Sequence, residues 1–113
     1  MDEKQRGAYD DFRDSVNMTA CELEQWLKTD VSRDVGAKPE SGGESVGHHS
    51  GRRIVELLRT KQGELTDADF AHMRKVAGYV HRHLAQKPDK TRVELQETPW
   101  RHSLRNWGHD PLK

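Results

Sequence analysis

The sequence predicts an all-α fold, a small bundle of about five helices with a long flexible loop between the second and third. Three observations carry this. Apolar residues recur at spacings of three and four in several segments, polar caps stand at the starts of those segments, and no pair of alternating segments offers a convincing sheet. The 113 residues fit a single helical domain over 1–113, and no internal repeat divides them. Leu, Ile, Val and Phe number only 20, while charged residues make up 34% of the chain. The core must therefore be thin, and each large apolar side chain carries an unusual share of it.

Tyr9, Phe12 and Val16 follow an i, i+3, i+7 spacing and predict a short first helix stopping at Asn17. Thr19 then caps a second helix, with Glu22 completing a capping box and Met18 facing Leu23 as a hydrophobic staple. Its apolar face is Leu23, Trp26 and Leu27, and together these segments predict a helical hairpin over 8–30. From 31 to 49 the periodicity disappears into Gly, Ser, Pro and charge, which predicts a flexible loop, with the tract Ala37–Glu44 disordered.

A two-helix core is expected over 50–87. Ser50 is read as the cap of the third helix, with the apolar stripe Ile54, Leu57 and Leu58 ending near Gly63. Thr66 caps the fourth, whose Phe70, Met73, Ala77, Val80 and Leu84 step through four turns until Lys87 and Pro88 close it. Leu65 and Phe70 form a second staple, and Asp67 and Asp69 suit the positive end of that helix. Residues 88 to 97 offer little pattern. Thr98 and Pro99 then open a Trp-rich fifth helix over 98–108, with Trp100, Leu104 and Trp107 on one face and Gly108 as its stop. That face docks as core or, if left exposed, serves as a dimer or partner surface.

The formal net charge is zero, but it is unevenly distributed. Residues 1–47 hold 11 acidic and 6 basic side chains, and residues 48–113 hold 8 and 13. That asymmetry admits an anionic partner for the C-terminal part and equally an internal attraction between the two parts. Cys21 is the only cysteine, which rules out an intrachain disulfide and fits a reduced compartment. The acidic N-terminus lacks the apolar segment of a signal peptide, and no apolar run is long enough to span a bilayer, so a cytoplasmic location without membrane contact is expected, nucleoid-associated if the chain binds DNA.

The stretch GHHSGRR raises the sharpest functional question. With a helix beginning at Ser50, Arg52 and Arg53 would sit in its first turn, where the helix dipole disfavours cations by roughly 0.3 to 1 kcal/mol each. A bound phosphate would relieve the conflict. So would a carboxylate from the acidic half of the chain, or exposure to solvent. Two further cationic patches lie downstream. Ala71, Lys75, Gly78 and Arg82 lie opposite the apolar stripe of the fourth helix, small residues alternating with cations, and Arg101 and Arg105 lie one turn apart on the fifth. Each is also what an ordinary solvated helix face looks like.

Catalysis and metal binding find less support. The order G-H-H-S-G is not the strand-to-helix nucleophile elbow, and no paired acids or Cys–His set stand out. His48, His49, His72, His81, His83, His102 and His109 lack the i, i+3 or i+4 spacing that converges helical ligands, and no cofactor or small-molecule substrate is expected.

The segments FRDSVNMTACELEQWL, SVGHHSGRRIVELL, LTDADFAHMRKVAGYVHRHLAQKP and WRHSLRNWGHDPLK together resemble the DUF3140 family, a domain of unknown function found in bacteria and fungi. Some members bear the label DNA-binding protein, and the resemblance implies no catalytic residues. The resulting expectation is a non-catalytic protein that contacts the phosphates of DNA, or of RNA, through Ser50, Arg52, Arg53, Lys75, Arg82, Arg101 and Arg105. The alternative is a protein-interaction module or small regulatory protein, with a protein partner or a second copy of itself.

Overall fold

A computed structural model describes residues 1–38 and 42–113. The described chain is all-helical: α1 (Glu3–Ser15), α2 (Ala20–Leu27), α3 (Asp30–Asp34), α4 (Val46–Leu58), α5 (Asp67–Leu84), α6 (Arg92–Leu95) and α7 (Pro99–Asn106), with a 3-10 turn at Gln62–Glu64 before α5.

Local chemistry sets most helix starts. Thr19 accepts from the Glu22 N–H and Thr66 from the Asp69 N–H, and in each case the acidic side chain returns to the cap's own N–H. These reciprocal boxes satisfy two otherwise orphaned donors at each helix start. Thr98 caps α7 with Pro99 behind it, and Gly108, at φ +81°, ends that segment in a conformation that L side chains rarely adopt. α1 begins earlier than its apolar spacing suggests, because Asp2 and Gln5 form another capping box.

The expected loop over 31–49 is corrected at both ends. Thr29 caps the short helix α3, and α4 begins at Val46 with Ser45, not Ser50, as its cap. Gly47 and two histidines are poor helix formers, which favours a later start on propensity alone. Packing overrides propensity here: a Cβ on Gly47 would sit 3.2 Å from Trp107 Nε1, and one on Gly51 would sit 2.6 Å from both the Asn106 carbonyl and Leu27 Cδ2. α4 can approach α7 and α2 this closely only with glycine at both positions. The part of the Ala37–Glu44 tract that falls on residues 39–41 lies outside the described residues. Beyond Pro88, α6 adds a turn in the stretch 88 to 97 where the sequence offers little pattern.

Pairing between helices runs across the sequence. α1 lies chiefly against α5, and α2 chiefly against α4, with α7 touching α2, α3, α4 and α5. The most extensive contacts of the expected hairpin over 8–30 and two-helix core over 50–87 thus run from one unit to the other. One apolar cluster joins Phe12, Leu23, Ile54, Leu57, Met73, Val76, Val80, Leu95 and Leu104. Trp100 and Trp107 are buried with Leu104, so the Trp-rich face is core.

A buried polar knot fixes α7 against α2 and α3. Asn106 Oδ1 accepts from Trp26 Nε1 at 2.8 Å and from the Ser32 hydroxyl at 2.5 Å, while its Nδ2 donates to the Ser32 carbonyl at 3.0 Å. Each of these polar groups is thereby satisfied, the condition under which burying them is tolerable. The tail after α7 is clasped to the α1–α2 junction. Asn17 receives the Asp110 N–H at 2.7 Å and donates to the Asp110 carbonyl at 2.9 Å.

Candidate nucleic-acid interface

The seven expected phosphate contacts separate into two groups. Ser50 sits inside α4 and is 2% exposed, and its Oγ shares a hydrogen bond of 3.0 Å with His72 Nε2. Burial, with the charges of Arg53, Lys75 and His49 adding to it, holds the His72 imidazole down at about 4. Ser50 thus joins α4 to α5 through a neutral ring, and its hydroxyl is closed to a ligand. This corrects its reading as the cap of that helix.

The placement of Arg52 and Arg53 in a first helical turn is corrected as well. Since α4 starts at Val46, both lie beyond its first turn, and the conflict with the dipole does not arise. Arg52 donates through Nε at 2.7 Å and Nη2 at 2.6 Å to the two oxygens of Glu44. The same carboxylate meets His48 Nδ1 and lies 3.5 Å from His49 Nδ1. Arg52 leads the groups that hold Glu44 down at about 2, with His48 assisting against the opposing effect of burial. The second ring nitrogen of His48 lies 2.7 Å from the Leu27 carbonyl, so this cluster also fastens the start of α4 to the end of α2.

Arg53 Nη2 donates to Asp69 Oδ1 at 2.6 Å, while Asp69 Oδ2 accepts from the Thr66 N–H at 2.9 Å. The Thr66 N–H, then Arg53, keep the Asp69 carboxyl below its ordinary range although burial pushes it up.

On α7, Arg101 forms a two-pronged pair with Asp110 at 3.1 and 3.0 Å and donates to the Gln96 carbonyl at 3.1 Å. Burial raises the Asp110 carboxyl, but Arg101 and the Leu112 N–H outweigh it and leave it lowered. Arg105 lays its guanidinium 3.8 Å from the centre of the Trp26 ring. Burial lowers its pKa. Neither arginine stands free: Arg101 anchors the tail, and Arg105 lids Trp26.

Lys75 and Arg82 are different. Both are exposed on α5, and among the described residues neither has a salt bridge. Arg74, which sequence reasoning passed over, borders the same face and is also exposed without a salt bridge among the described residues. Its signal was available, because Arg74, Gly78, His81 and Arg82 follow i, i+4, i+7, i+8 spacing. The surrounding stretch is the most basic in the chain: residues 70–92 hold six Lys and Arg against the single acid Asp89.

Among the described residues, no three His, Cys, Asp or Glu side chains gather in a way that could hold a metal ion. No described helix is long and apolar enough to cross a membrane.

No curated protein and no solved structure matches the chain. The family model described as a protein of unknown function, DUF3140, matches residues 11–105, from within α1 to the last turn of α7. A match over that much of the sequence makes the chain a member of the DUF3140 family.

Proposed function

We propose that the chain binds nucleic acid without catalysis, through phosphate contacts made by Lys75, Arg82 and the adjacent Arg74 on the outward face of α5. The observation that carries this reading is the division among the cations. Arg52, Arg53 and Arg101 are held by Glu44, Asp69 and Asp110, and Arg105 covers Trp26, whereas the exposed cations of α5 have no salt bridge among the described residues. Ala71 and Gly78 between them leave room for close approach of a sugar-phosphate backbone. Contacts to phosphates carry no base information, so this reading extends to DNA and RNA alike. Such a protein works in the cytoplasm, on the nucleoid where DNA is the ligand.

The test is a titration of labelled duplex DNA at several salt concentrations. Binding that weakens steeply with salt is expected, and Lys75→Gln with Arg82→Gln should reduce the salt slope by about 2. Affinity that is indifferent to salt, or no binding tighter than about 10⁻⁴ M, overturns the reading.

A further inference from the structure

We propose that the outward face of α1 in one copy of this chain docks on the outward face of α5 in a second copy. The contact covers Lys75 and Arg82, so self-association and nucleic acid compete for one surface; the competition, though not the contact, rests on the nucleic-acid reading.

α1 turns Ala8, Phe12 and Ser15 inward. The opposite side carries Glu3, Gly7, Asp10 and Asp14 at i, i+4, i+7, i+11, with Asp11 beside them. All five positions are exposed, and none of the four acids has a salt bridge among the described residues. Gly7 is the odd member. A glycine in a helix interior costs roughly 1 kcal/mol relative to alanine, yet a Cβ there would meet nothing within 4 Å. Packing among the described residues supplies no reason for it.

α5 repeats the arrangement with opposite charge. Arg74 and Lys75 stand about one turn before Gly78, and Arg82 stands one turn after it. A Cβ on Gly78 would meet only the end of the flexible Arg82 side chain, at 3.1 Å from Nη1. Each helix therefore presents charge, a glycine one turn on, and the same charge one turn further. Two helices crossing at small residues approach more closely than the usual 8–10 Å, bringing the flanking acids of one within reach of the bases of the other. Lys4 and Arg6 border the acidic stripe, and Asp67 and Asp89 lie beyond the ends of the basic one. With a formal net charge of zero, no long-range repulsion keeps the copies apart. The two faces differ, so the contact is head-to-tail and builds rings or longer assemblies rather than stopping at a symmetric dimer by this contact alone.

Sedimentation velocity on the full chain tests this over a range of protein concentrations. At about 0.01 M salt the average mass should rise above the 13.0 kDa of one chain, and at about 1 M salt it should return to that value. Asp10→Asn with Asp14→Asn, and separately Lys75→Gln with Arg82→Gln, should each weaken association at least about tenfold while leaving the melting temperature near that of the parent. Mixed together, the two double variants should form a one-to-one complex that grows no further, since each retains only the face the other has lost. A parent chain that stays at 13.0 kDa at low salt overturns the proposal, as does association that survives both double variants or a mixture that fails to pair. The acidic-face variant should bind duplex DNA at least as well as the parent. Association as described with no DNA binding would leave the contact standing and remove only the nucleic-acid reading.

Discussion

Asp69 serves two partners at once: its Oδ1 receives Arg53 from α4 at 2.6 Å, and its Oδ2 closes the capping box with the Thr66 N–H at 2.9 Å. A local helix-start device and a long-range tie between two helices therefore depend on one carboxylate. Asp69→Ala should cost about 2 to 3 kcal/mol, the sum of a lost cap and of a guanidinium left with only the more distant Glu56 carboxylate at 3.8 Å. Arg53→Ala removes only the second role and should cost about 1 kcal/mol. Urea denaturation of both variants checks the order, and equal losses would contradict the double role.

The glycines of α4 are set by their neighbours. Gly51→Ala forces a methyl group to within 2.6 Å of the Asn106 carbonyl and of Leu27 Cδ2, and a backbone atom yields little. A loss of about 2 to 3 kcal/mol is expected, measured by thermal melting. Gly47→Ala should cost less, since it presses at 3.2 Å on a tryptophan ring edge. Gly7→Ala should stabilise the monomer by about 0.5 to 1 kcal/mol, because only the helix propensity changes.

Asn106→Leu leaves the Trp26 N–H and the Ser32 hydroxyl without their buried acceptor, and the Ser32 carbonyl without its donor. Removing a partner so that buried polar groups are orphaned costs about 1 to 3 kcal/mol for each group, less whatever local rearrangement recovers. A fall in the melting temperature of more than about 8 °C is expected. Trp26 fluorescence should shift as its indole N–H loses its partner.

Stability should fall on acidification in two stages. The His72 ring, held at about 4 in the folded chain, titrates near 6.5 once unfolded. Between those values the unfolded chain binds the additional proton, so stability present above about pH 6.5 is lost as pH drops toward 4. Glu44, held at about 2, contributes above its unfolded value of 4.5, and that contribution is lost as pH falls from there toward 2. Denaturation midpoints followed from pH 8 to pH 3 test this. His72→Gln should flatten the first stage and leave the second.

On the interface, Arg52→Gln and Arg101→Gln should change duplex affinity by less than about twofold, whereas Lys75→Gln with Arg82→Gln should lower it about tenfold or more at low salt. Filter binding distinguishes the two groups. Equal losses from both would mean that the internal ion pairs open to the ligand.

The amino-acid sequence alone determined which segments become helices wherever cap, staple and apolar spacing coincide. The starts at Thr19, Thr66 and Thr98 depend on side chains within a few residues of each other, and the burial of Trp100, Leu104 and Trp107 follows from their shared face. It also marked Lys75 and Arg82 as a face of small residues and cations. Only the tertiary structure decided that Ser45 caps α4, because two serines five residues apart offer the same capping chemistry and the choice depends on α7 and α2 packing against Gly47 and Gly51. Only it decided which arginines stand free. A guanidinium is neutralised by whichever carboxylate the fold brings within about 3 Å, and Glu44 and Asp69, eight and sixteen residues from their arginines, cannot be paired from spacing when the intervening chain can take many courses.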